Sequence, residues 1–170
     1  MMETRKHTRL KDYDYSQPGA YYITVCVKNR RSILSAIVGR GLAPAVPELS
    51  SYGMIVKEEL FNLEKRYDYI KVDRYVIMPN HVHVILILGE KTAGAVGRGL
   101  APADSRPTVC DAVCAWKSLS AARCRKQNLQ GALWQTSFYD HVIRDEQDYI
   151  IRAEYIENNP ARWAEDEYYS

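Results

Sequence analysis

The run from Met78 to Leu88 constrains the fold of this chain more than any other stretch. It reads Met-Pro-Asn-His-Val-His-Val-Ile-Leu-Ile-Leu and sets His81 and His83 in an apolar, β-branched segment. Such a composition predicts a buried strand. Residues i and i+2 of a strand point to the same face, so the two imidazoles are expected side by side, with Cα atoms roughly 6–7 Å apart. Two imidazoles on one rigid face provide half of a divalent-metal site.

A second feature with chemical potential lies near the C-terminus. Residues 145–160 place acidic residues first, apolar residues at helical spacing and Pro160 at the end, which predicts a helix. Tyr155 and Asn159 are then neighbours on one helix face. A tyrosine hydroxyl can attack a phosphodiester whose phosphate is polarised by a metal ion, and an Asn side-chain oxygen can ligate that ion.

Other residues compete for these roles. Two histidines in a strand are by themselves more often half-exposed polar residues than ligands. Tyr155 is one of thirteen tyrosines, and Tyr139 and Tyr149 are rival nucleophiles that are expected to act as packing groups. His141 could be a third ligand, a base, or a group that holds the strand–helix junction. Glu154 and Glu157 flank Tyr155 and are expected to be solvated, although either could assist a metal.

Three segments together resemble the HUH single-tyrosine transposases, and among these the REP-associated tyrosine transposases. Residues 75–83 are similar to the metal-binding strand of that family, residues 134–144 to the segment before its catalytic helix, and residues 155–160 to the helix itself. They read Tyr-Val-Ile-Met-Pro-Asn-His-Val-His, Trp-Gln-Thr-Ser-Phe-Tyr-Asp-His-Val-Ile-Arg and Tyr-Ile-Glu-Asn-Asn-Pro. The resemblance extends from about residue 13 to residue 163, apart from two insertions.

The resemblance implies a metal-dependent single-strand DNA endonuclease and strand transferase that acts on hairpin, repetitive palindromic DNA in transposition. Tyr155 would form a 5′-phosphotyrosine intermediate, and His81, His83 and Asn159 would bind Mg²⁺ or Mn²⁺. Two alternatives stay open: a hairpin-DNA-binding protein that does not cleave, and a replication initiator or relaxase with the same chemistry. The chain is expected to be cytoplasmic and nucleoid-associated, as a monomer or a homodimer.

Charge is informative here by its distribution. The formal net charge is only +2, but basic residues cluster at the N-terminus, after the first predicted strand and along one predicted helix, which suits a surface that follows phosphates. The candidate DNA-binding residues are Arg5, Lys6, Arg9, Lys28, Arg30, Arg31, Lys117 and Arg123. No apolar stretch approaches the ~20 residues of a membrane span, and the four cysteines are expected to be reduced thiols.

The predicted elements alternate in the order βαββαβ, followed by a last helix. Strands are predicted at residues 21–28, 69–78, 81–88 and 138–143, and helices at 49–66, 108–127 and 145–160. This order predicts an α+β ferredoxin-like sandwich: a four-stranded antiparallel sheet with helices on one face, plus a C-terminal helix that carries the tyrosine. The chain is expected to form one domain over residues 1–170.

One octapeptide occurs twice. Val-Gly-Arg-Gly-Leu-Ala-Pro-Ala stands at residues 38–45 and again at 96–103. Its Gly and Pro content predicts loops, and two distant copies do not make a solenoid. We expect two surface insertions, at about 38–47 and 94–106, that interrupt the domain without adding to its core.

Overall fold

The structure is a computed structural model that describes residues 9–39, 43–90 and 106–169. Its main sheet has four strands in the spatial order β4, β5, β1, β6, and every neighbouring pair is antiparallel. The elements in chain order are β1 (Gly19–Cys26), β2 (Ser35–Val38), β3 (Val46–Leu49), α1 (Ser51–Arg66), β4 (Ile70–Ile77), β5 (His81–Leu88), α2 (Val109–Lys126), β6 (Tyr139–Ile143) and α3 (Glu146–Asn158). This is the predicted ferredoxin-like arrangement, and the fold class is confirmed.

The two faces of this sheet are covered differently. Helices α1 and α2 pack on one face, here called the core face, where alternate residues of β1 and β5 join the larger apolar cluster. Helix α3 packs on the other, here called the site face, mainly over β4 and β5. The separate placement of α3 leaves the four-stranded sheet between two helical layers, with the catalytic-helix candidate directly above the histidine strand.

Local sequence explains where the helices begin. The Ser50 side chain accepts a hydrogen bond from the Gly53 N–H and starts α1. Thr108 and Asp111 form a reciprocal capping box at the start of α2, and Asp145 accepts from the Asp148 N–H at the start of α3. Short polar side chains at these positions satisfy backbone N–H groups that a helix leaves unpaired.

The structure adds an element that the sequence did not predict. Strands β2 and β3 form a small antiparallel hairpin, so the first insertion, expected as loop over about 38–47, begins and ends in strand. Gly39 lies in the turn with φ +79°, and a Cβ there would stand 2.2 Å from the Pro44 carbonyl oxygen. The second copy of the octapeptide, at 96–103, lies outside the described residues.

None of the helices in the described part of the chain is both long and apolar enough to cross a membrane.

Candidate metal and nucleophile site

Strand β5 brings the two histidines together on the site face. His81 lies opposite Cys26 of β1, and His83 lies opposite Thr24. Their ring centroids are 4.5 Å apart, and their exposed fractions are 0% and 1%. Val82 projects from the same strand into the core face. The alternation read from the sequence therefore places both imidazoles as expected, and the structure buries them completely.

Each imidazole is oriented through its Nδ1 atom. His81 Nδ1 lies 2.8 Å from Asn80 Oδ1, and because an amide oxygen only accepts, His81 Nδ1 donates this bond. His83 Nδ1 lies 2.8 Å from both the Tyr22 and the Thr24 hydroxyls. The Nε2 atoms of both histidines are buried and have no hydrogen-bond partner. Outer partners on one ring nitrogen that leave the other free are typical of metal-binding histidines.

Burial keeps both imidazoles neutral. It lowers the pKa of His81 to about 4, although the nearby Asp166 carboxylate and Asn159 amide oppose part of this shift. Burial, and to a smaller extent His81 itself, also lowers the pKa of His83 well below its usual value. Near neutral pH both rings are therefore unprotonated, which is the form that ligates a metal.

A third buried polar atom without a partner belongs to Asn159, at the C-terminal end of α3. The residue is 3% exposed. Its Nδ2 donates to Asp166 Oδ2 at 2.7 Å, while its Oδ1 has no hydrogen-bond partner. Asn159 raises the pKa of His81 and lowers that of Tyr155, so its amide lies close to both side chains.

This donor set fits a divalent cation. Two imidazole nitrogens and one amide oxygen are neutral donors, and each buried polar group left unpaired costs about 1–3 kcal/mol. Ligand atoms of His81, His83 and Asp166 lie within 4.8 Å of one another, and they form the one metal-capable cluster of His, Cys, Asp and Glu found among the described residues. A shared cation would satisfy the two Nε2 atoms and Asn159 Oδ1 at once.

Tyr155 stands at the edge of this group. Its ring packs edge-on against His83 at 5.2 Å between centroids, and the residue is 39% exposed. Partial burial raises the pKa of Tyr155, as do Asp166 and Glu167, while Asn159 and Arg152 oppose the shift. The phenol therefore carries its proton at neutral pH. It lines an open cavity of about 530 Å³ together with Asn159 and Asp166, so a substrate could reach it.

The rival nucleophiles are held differently. The Tyr149 hydroxyl donates to Asp73 Oδ2 at 2.6 Å. Tyr139 is 41% exposed and meets Tyr22 edge-on at 6.4 Å. Neither forms a ring contact with the histidine pair.

His141 and the glutamates that flank Tyr155 also have other surroundings. His141 Nε2 lies 2.7 Å from Asp148 Oδ2 and so joins strand β6 to helix α3. This contact matches the expected role of holding the strand–helix junction. Glu154 and Glu157 are exposed, and Glu157 Oε1 lies 3.8 Å from Arg74 Nη1.

The chain is similar in sequence to two known proteins. No protein-family model matches the chain. It is 31% identical over 172 residues to an uncharacterised protein of Haemophilus influenzae, covering 97% of this chain and 93% of that protein. It is 24% identical over 148 residues to the REP-associated tyrosine transposase of Escherichia coli, covering 87% of this chain and 70% of that protein.

In sequence the chain is similar to the REP-associated tyrosine transposases. A solved structure, described as a REP-associated tyrosine transposase bound to a REP hairpin, has the same fold. The TM-score is 0.62 at 21% sequence identity, covering 91% of this chain and 74% of that one. The resemblance inferred from the three sequence segments is thereby confirmed.

Not all of the basic residues predicted to bind DNA lie near this candidate site. Arg30 does: its Nη1 donates to the Glu167 carbonyl oxygen at 3.1 Å. Lys28 is exposed at the same end of β1. The Arg31 guanidinium instead donates to the carbonyl oxygens of Gln130 and Ala132. Arg5 and Lys6 lie outside the described residues.

The other three basic candidates already have partners within the protein. Arg9 lies over the Phe138 ring, and its Nε is 3.7 Å from Asp140 Oδ1. The Lys117 ammonium donates to the carbonyl oxygens of Gln135, Thr136 and Ser137. Arg123 pairs with Glu58 and Glu59 of α1 at 2.6 and 2.8 Å. DNA binding by all eight basic candidates stays a prediction.

Sequence reasoning missed the C-terminal residues that border the site. Asp166 touches Asn159, and the Tyr168 ring lies 4.5 Å from that of His81. The Tyr168 carbonyl oxygen accepts from Asn80 Nδ2 at 2.7 Å. Both residues follow the helix-ending Pro160, where no periodicity connects them to the motif. Asn80 could have been found, because it directly precedes His81 and has an amide suited to fix its tautomer.

Proposed function

We propose that this protein is a metal-dependent single-strand DNA endonuclease and strand transferase that acts on hairpin DNA in transposition. The observation that carries the proposal is the meeting of three buried, unpartnered atoms beside a half-exposed tyrosine: His81 Nε2, His83 Nε2 and Asn159 Oδ1 next to Tyr155. Buried polar atoms are nearly always paired, so three such atoms in one place are suited to bind a shared cation.

His81, His83 and Asn159 would hold the cation, either Mg²⁺ or Mn²⁺. When bound, such an ion acts as a Lewis acid on a phosphate oxygen. The protein residues have their own tasks: Asn80 fixes the tautomer of His81, Tyr22 and Thr24 hold the ring of His83, and the edge-on contact with His83 holds the Tyr155 ring.

Tyr155 would form a covalent bond to the DNA. Its hydroxyl oxygen bonds to phosphorus and loses its proton, the bond from phosphorus to the 3′-oxygen breaks, and that oxygen takes up a proton. The products are a 5′-phosphotyrosine and a free 3′-hydroxyl. A second 3′-hydroxyl can attack the phosphotyrosine and rejoin DNA without ATP, because the linkage keeps a phosphodiester bond.

Recognition would combine phosphate contacts with contacts to unpaired bases. Lys28 and Arg30 lie at the end of β1 that borders the site, and the exposed Tyr139 ring provides a surface on which a base could stack. The relative bound to a REP hairpin supports hairpin DNA as the partner. We propose that the protein acts in the cytoplasm, in association with the nucleoid.

The test is a cleavage assay on single-stranded hairpin DNA with a flanking single strand. Purified protein is incubated with the DNA in Mg²⁺, in Mn²⁺ and in chelator, and covalent adducts are resolved on a denaturing gel. We expect cleavage and an adduct only with metal, and peptide mapping of the adduct to Tyr155. Hairpin binding with no cleavage in either metal would favour a non-cleaving binder. Cleavage without an adduct would overturn the mechanism.

A further inference from the structure

Asp166 lies just outside the three unpartnered atoms and uses both of its oxygens. Oδ2 accepts from Asn159 Nδ2 at 2.7 Å, and Oδ1 accepts from the Tyr168 backbone N–H at 2.8 Å. The carboxylate therefore joins the predicted metal ligand on α3 to the chain segment that follows it.

A carboxylate beside an amide selects one orientation of that amide. An ionised carboxylate only accepts hydrogen bonds, whereas an Asn side chain has one donating and one accepting end. With Asp166 in place, the amino end of Asn159 faces the carboxylate, and Oδ1 is left for the histidine pair. Rotated by half a turn, the amide would present N–H groups to the cation, which cannot ligate it.

We propose that Asp166 is a positioning residue that aims Asn159 Oδ1 at the metal. This inference rests on the proposed function, since it takes Asn159 as a ligand. Outer hydrogen-bond partners of this kind orient ligands in many metal sites, and their loss typically weakens metal binding about 10–100-fold.

The position of Asp166 is itself fixed by local structure. It follows a short 3₁₀ helix, Trp163–Glu165, whose Trp163 is buried against the site face. The Asp166 N–H donates to the Trp163 carbonyl oxygen at 3.2 Å, and the Tyr169 N–H donates to the Asp166 carbonyl oxygen at 3.0 Å. The carboxylate is thus held by a turn anchored in the apolar cluster of the site face and can orient Asn159 without a large loss of side-chain entropy.

Direct ligation by Asp166 is the competing explanation, because one of its oxygens lies within 4.8 Å of ligand atoms of His81 and His83. The two explanations predict a different dependence of the Asp166 effect on the presence of Asn159. A residue that acts through Asn159 has little left to contribute once Asn159 is removed, whereas an independent ligand keeps its contribution.

The experiment measures Mn²⁺ affinity of the full chain from the electron paramagnetic resonance signal of free Mn²⁺, without DNA. The variants are Asp166→Ala, Asp166→Asn, Asn159→Ala and the double variant Asn159→Ala/Asp166→Ala. Glu167→Ala is the matched control, because it removes an exposed carboxylate one residue away. Metal-free thermal unfolding verifies that each variant is folded.

We expect Asp166→Ala to weaken Mn²⁺ binding about 10–100-fold and Glu167→Ala to change it less than about twofold. Asp166→Asn should lie between the wild type and Asp166→Ala, because its amide oxygen still accepts from Asn159. In the Asn159→Ala background, removal of Asp166 should cost less than about twofold further.

Equal losses from Asp166→Ala in both backgrounds would overturn the proposal in favour of direct ligation. Equal effects of Asp166→Ala and Glu167→Ala would overturn it in favour of general charge attraction. If His83→Ala binds Mn²⁺ as tightly as the wild type, the proposed metal site itself is wrong. If binding depends on His83 but not on Asp166, only the positioning role is wrong.

Discussion

The two faces of strand β5 are equally buried but serve different purposes. On the core face, Val82, Val84 and Leu86 are fully buried in the apolar cluster. On the site face, His81 and His83 are just as buried, yet their Nε2 atoms have no partner. Burial alone therefore does not separate the core from the site, whereas two adjacent imidazole nitrogens without hydrogen bonds mark the site face.

Polar atoms on the core face are largely paired. Trp116 Nε1 donates to the Val56 carbonyl oxygen, and Trp134 Nε1 donates to Ser120 Oγ, both at 3.0 Å. The exception at the edge strand is Asp140, whose carboxylate has no hydrogen bond, although Arg9 lies 3.7 Å away. A paired polar group stabilises the fold, whereas a buried polar group without a partner costs stability.

The largest expected effect is that of Tyr155→Phe. The ring keeps its contact with His83 and only the hydroxyl is lost, so the fold and DNA binding should persist. Cleavage should fall by on the order of 10⁴-fold or more, and the covalent adduct should disappear, because no other residue replaces the nucleophile.

Tyr149→Phe is the matched control on the same helix, since it removes a hydroxyl bonded to Asp73 instead. It should leave cleavage within a few-fold of the wild type. An adduct that survives Tyr155→Phe and maps to Tyr149 or Tyr139 would show that the nucleophile is misassigned.

The next prediction concerns His83 and Val84, which are neighbours in β5 but point to opposite faces of the sheet. His83→Ala should reduce cleavage on the order of 10³-fold, the several kcal/mol that a Lewis acid supplies, while hairpin binding changes little because phosphate contacts dominate affinity. Val84→Ala should keep the cleavage chemistry but lower the free energy of unfolding by about 2 kcal/mol. Kinetics and chemical denaturation of both variants separate the two roles. Equal loss of binding and cleavage in His83→Ala would indicate a structural histidine.

The shared face of His81 and His83, and that of Tyr155 and Asn159, could be predicted from spacing alone. Residues two apart in a strand or four apart in a helix point to the same side. The βαββαβ order followed in the same way from alternating periods. The β2–β3 hairpin could not be predicted, because its strands are only four residues long and flank a Gly- and Pro-rich turn. Asp166 was missed because its contact with Asn159 spans a proline and a 3₁₀ helix, so no period relates the two.

Metal addition should raise the melting temperature, and this rise should depend on the ligands of the site face. A ligand at 100 times its Kd adds about 2.7 kcal/mol to the free energy of unfolding, and at this chain length each kcal/mol raises the melting temperature by about 2–4 °C. Saturating Mn²⁺ should therefore raise the melting temperature of the wild type and of Val84→Ala by several degrees. His81→Ala should show little shift. A shift that survives in His81→Ala would place the ion elsewhere.

Acidification of the metal-free protein should also act through the site face. The His81 pKa is about 4 in the folded state and near its ordinary value of about 6.5 in the unfolded state. Between these values the unfolded chain binds more protons, so stability falls as the pH drops from about 6.5 to about 4, by up to about 1.4 kcal/mol per pH unit for this residue. Denaturation at several pH values should show a shallower dependence in His81→Ala than in Val84→Ala. Equal slopes would mean that His81 is not buried in its neutral form.

The smallest expected effect is on the salt dependence of DNA binding, tested at one basic residue on each side of the sheet. Lys28 is exposed just beyond Cys26, the last residue of β1, which lies opposite His81, whereas Arg123 is held by Glu58 and Glu59 on the core face. Each phosphate contact with single-stranded DNA contributes about 0.7 to the slope of log affinity against log salt. Lys28→Ala should reduce the slope by about that amount, and Arg123→Ala should change it less, because its guanidinium is already paired. Fluorescence anisotropy with labelled hairpin DNA over a salt series measures both slopes. A larger change of slope for Arg123→Ala would indicate that the DNA binds along the core face, away from Tyr155.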